Sequence, residues 1–176
     1  MATPTTLPSS FVSGTVLTAA QLNNLRGAFR IIQVVQTTKT DTFTGTSTSL
    51  ADITGMSVAI TPTDSTSKVL IVSNISFNGN NGIVYGIQLL RGSTAIAQGD
   101  TAGTRPRRTL GGTITAEALA NVGISWLDSP ATTSATTYKL QYSVSSGSFF
   151  INRTLTDTDP TYPRVVSTIT AFEVSA

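Results

Sequence analysis

The chain has no cysteine and no histidine in its 176 residues. Without cysteine there is no disulfide, no thiol nucleophile and no cysteine metal site, and nothing records a redox compartment. Without histidine, the usual general base near neutral pH and the commonest metal ligand are both missing. Charge is scarce too, at 11% of residues against about 25% in an average globular protein. Eleven basic and nine acidic side chains leave a net charge of +2. The one basic cluster is Arg105-Pro-Arg-Arg108, with Arg91 upstream. Nucleic-acid binding asks for a broad basic face with aromatic or helical readers, so no nucleic-acid partner is expected. Arg105, Arg107 and Arg108 read instead as a solvated, inter-subunit or ligand-facing loop. No apolar run approaches the roughly 18 residues that span a bilayer. The first ten residues lack the basic and apolar regions of a secretory signal. Neither secretion nor membrane insertion is expected.

What the chain does have is hydrophobic content, 39%, set among threonine and serine in nearly every segment. Threonine favours strands, so the composition is that of a β-protein. With few charges to keep copies apart, such a chain suits an assembly. Strand signals begin at Arg30–Thr40, rich in β-branched residues. Residues 41–50 are an edge strand or an extended loop, and Met56, Val58 and Ile60 alternate up to Pro62. Lys68–Phe77 is a central strand, because Leu70 and Val72 make its second face apolar as well. Asn78-Gly-Asn-Asn-Gly82 reads as a hairpin connection, and strands follow at 83–91 and 94–98. A polar loop spans 99–112, and 113–120 is assigned to strand despite its helical propensity. Asn121–Asp128 is a strand that ends at a turn. Tyr138, Leu140, Tyr142 and Val144 alternate cleanly, with Phe149–Arg153 expected to pair with that strand across Ser145-Ser-Gly147. Val165–Val174 is the terminal strand. This spacing predicts an all-β fold: a single jelly-roll-like antiparallel β-sandwich over residues 30–176, preceded by an N-terminal arm and docking helix over 1–29.

The helix lies in Phe11–Leu25, where Thr18 and Gln21 have capping-box spacing and Leu17 and Leu22 form a hydrophobic staple. Leu22, Leu25 and Phe29 make one apolar stripe. So short a helix is marginal alone in water, and its stripe must dock on something.

Little supports catalysis. Asp157-Thr-Asp159 is the one close carboxylate pair; it could face a calcium ion, but the plainer reading is a turn before Pro160. A glycosidase pair of Asp100 and Asp128 is neither supported nor excluded. Serines and threonines lack a partner base, and no phosphate-binding or nucleophile-elbow motif is present. Asn74 and Asn152 head glycosylation sequons that read as chance. Trp126, Tyr85, Tyr138, Tyr142, Phe149 and Phe150 read as core rather than as a sugar-stacking surface. The expectation is a protein that is not an enzyme and uses no cofactor or metal.

Phe11-Val-Ser-Gly-Thr-Val-Leu-Thr-Ala-Ala-Gln-Leu-Asn23 resembles an N-terminal segment recurrent in tailed-bacteriophage structural proteins. Ser125-Trp-Leu-Asp-Ser-Pro130, Tyr138-Lys-Leu-Gln-Tyr142, Phe150-Ile-Asn-Arg153 and Ser167–Val174 resemble the knob domain of phage fibre and decoration proteins. The resemblance implies a homotrimer of jelly-roll knobs in a virion, assembled in the host bacterial cytoplasm. It implies a capsid decoration (cement) or short head-fibre protein, anchored on the major capsid protein or another virion protein. Phe11, Val16, Leu17, Leu22, Leu25 and Phe29 would carry that anchoring. The alternative is a tail fibre whose knob engages a host surface glycan or protein.

Overall fold

The computed structural model describes residues 31–115 and 118–175, together with Gly14, Val16, Thr18 and Ala19. The expected arm and helix otherwise lie outside the described residues, as do positions 116 and 117. The described chain folds into eleven strands: β1 Ile31–Lys39, β2 Phe43–Gly45, β3 Ala51–Ile60, β4 Lys68–Gly79, β5 Val84–Arg91, β6 Thr94–Ile96, β7 Leu110–Thr113, β8 Ala120–Asp128, β9 Thr136–Val144, β10 Phe149–Ile151 and β11 Ser167–Val174.

They form two antiparallel sheets. In the first, β11 pairs with β4 over Lys68–Asn74 and β10 pairs with it over Phe77–Gly79. These two lie end to end on one side of β4, with β1 and β2 beyond them and β8 on the other side. In the second sheet the order is β3, β9, β5, and β6 and β7 share the far side of β5. With the end-to-end pieces counted as one, each sheet is four strands wide. Numbered along the chain, the composite strands run 1-8-3-6 and 2-7-4-5, the order of a jelly roll built from two Greek keys. The first and last strands pair directly, with Ile31 opposite Val174.

Alternation decides which side chains go between the sheets. On β4, Val69, Ile71, Ile75 and Phe77 point inward, and on β9 Tyr138, Leu140, Tyr142 and Val144 do; all eight are buried. An aromatic stack fills one end of the core, with Phe149 set 5.3 Å from Phe77 and 5.5 Å from Tyr142. Phe43 closes on Tyr142 edge-on.

Three expectations are corrected here. Asn78–Gly82 is not a hairpin: it carries the chain from β4 in the first sheet to β5 in the second. Its Asn-Gly chemistry serves the turn itself, since Gly82 has φ 82° and its N–H donates to the Ile114 carbonyl at 2.7 Å. Phe149–Ile151 does not pair with β9 across Ser145–Gly147. It crosses back to the first sheet, between β4 and β2. Trp126 is not core. It points to the inner side, opposite Ile71, but β8 is an edge strand and the second sheet covers it only in part, leaving the residue 41% exposed.

Candidate interaction surface

Because Val69 and Ile71 on β4, and Ile169 and Ala171 on β11, face inward, their neighbours face out. The register sets Val34, Phe172, Leu70 and Leu127 in one row across β1, β11, β4 and β8. Val34 is 54% exposed, Leu127 49% and the neighbouring Val72 39%; Leu70 and Phe172 are half-buried. The next rows hold Gln36, Thr170, Val72 and Ser125, then Thr38, Thr168, Asn74 and Gly123. Ile31 and Ile32 extend the apolar surface at the start of β1, 53% and 42% exposed. Among the described outward residues of these four strands, Lys68 is the one charge. Scattered surface apolar residues need no explanation, but a contiguous apolar row across a whole sheet marks a site of association.

The Leu70 and Val72 signal was legible in the sequence, but as burial inside the protein. The structure turns that second face of β4 to the outside. Val34, Phe172 and Leu127 were not singled out, since only the pairing of β1, β11 and β8 aligns them with Leu70.

Trp126 lies at the rim of this sheet and lines a cleft of about 310 Å³ with Ala97, Gln98, Thr109 and Leu110. The arginine loop borders the same side. Buried Gln88 anchors it, donating from Nε2 to the Ile96 carbonyl at 2.8 Å and to Thr109 Oγ1 at 3.2 Å. Arg105 and Arg107 are exposed, and Arg107 Nε donates to the Gly99 carbonyl at 2.6 Å. Arg108 folds back over the outer face of the second sheet, its stem crossing Gly86, where a Cβ would come within 3.0 Å. There it borders an apolar groove of about 420 Å³ with Val84, Pro106, Thr48 and Ser143. Its Nη1 donates to the Arg107 carbonyl at 2.8 Å, and its buried Nε has no partner. The three arginines therefore do not converge. Of the expected anchoring residues, Val16 is 92% exposed, and Phe11, Leu17, Leu22, Leu25 and Phe29 lie outside the described residues.

Several of the described carboxylates are occupied in structural work. Asp128 is buried, accepts from Arg91 Nη1 at 2.9 and 3.0 Å and from the Tyr138 hydroxyl at 2.7 Å. Asp128 is thus committed to an internal ion pair and a buried phenol. Asp157 Oδ2 accepts from Arg153 Nη1 at 3.1 Å and Arg164 Nη2 at 2.8 Å, so two guanidinium groups stand where a cation beside Asp159 would. Asp52 accepts from Lys139 and Gln141, and these bonds hold its carboxyl below the usual range. Among the described residues, no group of three or more acidic, histidine or cysteine side chains is placed to hold a metal. Asn152, in one sequon, is fully buried, with Nδ2 donating to the Lys39 and Asp41 carbonyls; Asn74 is exposed on the outer face.

Fold and surface together define the class: a jelly-roll β-sandwich whose first sheet presents a partly apolar outer face with a single charge, Lys68, among its described residues. No protein-family model and no curated protein matches the chain. Among solved structures it is similar to a chain of infectious bursal disease virus, Gt strain, at 17% identity and TM-score 0.44, covering 82% of this chain and 38% of that one. It is also similar to the VP2 subviral particle of infectious bursal disease virus, at 17% identity and TM-score 0.42, covering 82% and 37%. The chain thus spans well under half the length of these virus proteins.

Proposed function

We propose that the chain is a non-enzymatic structural protein of a phage virion: a homotrimeric capsid decoration or short head-fibre protein held through residues 1–29. The observation that carries this reading is the outer face of the first sheet. A row of exposed apolar side chains with one flanking charge suits a protein that works in an assembly. Two features support it. The segment Phe11–Asn23 resembles an N-terminal segment recurrent in tailed-phage structural proteins, and the described sandwich begins at Ile31, beside that face. The described carboxylates that are most enclosed, Asp128, Asp157 and Glu173, are all committed to internal partners.

Copy number tests the reading. Quantified in purified virions, the protein is expected near the abundance of the major capsid protein. A few copies confined to the tail would favour the second reading, a receptor-binding fibre. One observation speaks for that alternative: the loop 97–109 presents Arg105 and Arg107 to solvent next to the Trp126 cleft, a surface able to meet a host glycan or protein.

A further inference from the structure

We propose that copies of this chain join head to tail, the β8 margin of one seated on the β1 margin of the next, so that the contact closes into a ring. This locates the contact that the homotrimer reading requires, and rests on it.

β8 is an edge. Its nine residues pair with β4 from Ala120 opposite Phe77 to Asp128 opposite Val69, and among the described residues no strand pairs with its other side. Natural edge strands are blunted by charge, proline, brevity or a bulge, because unpaired N–H and C=O groups invite another chain. β8 has none of these devices. It is uncharged as far as Asp128, which is buried and held by Arg91 and Tyr138. The edge instead displays Trp126 on one side and Leu127 on the other, 41% and 49% exposed. A tryptophan at a rim is the residue type most suited to anchoring an interface.

The opposite margin of the same sheet carries a second apolar patch, Ile32 and Val34 on β1, backed by half-buried Phe172. Charge identifies what fits there. A charged partner would have to strip its ions of water against a surface whose one charge is Lys68, at a cost nothing there repays. A second copy brings a margin just as uncharged, without like-charge repulsion.

Geometry favours a ring over a face-to-face pair. The two margins lie three strand spacings apart, about 14 Å, so using β8 against the next copy's β1 leaves its own β1 margin free for a third. Such a head-to-tail contact either closes or grows without limit. The four-strand face projects to roughly 450 Å², short of the about 800 Å² per partner of a standard interface. In a ring each copy uses both its β8 margin and its β1 margin, and so makes two contacts where a face-to-face pair makes one.

Because the chain lacks cysteine, engineered thiols report only on themselves. The full chain carrying both Val34→Cys and Trp126→Cys is oxidised at low concentration and run without reductant. It is expected to give covalent dimers and a closed trimer, while each single variant stays uncrosslinked. A bond within one copy is excluded, since a disulfide needs Cα atoms within about 7 Å. Val34→Cys with Leu127→Cys serves as a second pair that keeps the tryptophan. That sole tryptophan is expected to shift its emission to the red as the wild type is diluted to monomers. Crosslinking of Trp126→Cys alone would mean a symmetric edge-to-edge contact and overturn the proposal. So would an oligomeric wild type in which neither pair crosslinks, with the homotrimer reading left standing. A wild type that sediments as a monomer at all concentrations would remove that reading as well.

Discussion

Individual polar residues inside this sandwich are matched to named partners, and their removal has calculable effects. The buried Tyr138 hydroxyl donates to Asp128, and burial first, then that carboxylate, push the phenol far above its ordinary range. Tyr138→Phe is expected to cost about 1.5 kcal/mol, the worth of a bond to a charged acceptor that Arg91 continues to hold. The denaturant midpoint should fall while the m-value stays the same. Glu173 is the acid counterpart. Burial raises its pKa, but hydrogen bonds from Gln33, from the Thr63 hydroxyl and N–H, and from Ser67 outweigh burial and leave the carboxyl below its ordinary value. A depressed carboxylate contributes stability that is present above its unfolded pKa and lost as pH falls through the folded one. Glu173→Gln is therefore expected to melt lower than wild type at pH 7, with the gap narrowing below about pH 4. A gap that stays constant from pH 7 to pH 3 would show that the charge is not what matters.

Elements were legible where the signal is local, and illegible where it depends on which strands meet. The alternation of Tyr138, Leu140, Tyr142 and Val144 marks β9 without ambiguity, and two apolar faces mark β4 as central. The turns at Asn78–Gly82 and Ser145–Gly147 were legible as turns, but turn chemistry fixes local φ and not the sheet the next strand will join. Both read as hairpins and both change sheets, as jelly-roll topology requires. Trp126 shows the same gap: residue type argues for core, while exposure follows from β8 being an edge, a long-range fact. The arginine cluster was visible, whereas Arg108 lying across Gly86 depends on β5 and the loop meeting in space. β2 offers a test at this scale. A Cβ on Gly45 would enter the Tyr142 ring, which is wedged between Phe43 and Phe149. With no free volume for the ring to take, Gly45→Ala is expected to cost about 3 kcal/mol. Gly86→Ala meets only the flexible Arg108 stem and is expected to change the melt far less. Thermal denaturation of the two variants side by side checks the contrast.

For the whole molecule, the prediction concerns the division at residue 30. Deletion of residues 1–29 is expected to leave a folded, oligomeric knob, since among the described residues the fully buried core runs from Ile53 to Ala171, with Val35 and Phe43 packed against it. The same truncation is expected to lose binding to virions, measured by co-sedimentation with particles that lack the protein. Retained binding would move the anchor into the knob. The pairing of Ile31 with Val174 has a practical corollary. A guest sequence fused after Val174 would leave the sandwich beside Ile31, on the side turned towards the particle if residues 1–29 hold it. The turn at Ser145–Ser148 sits at the other end, where Phe149 meets Gly79. A peptide intended for display on the outside of a particle belongs in that turn, not at the C-terminus.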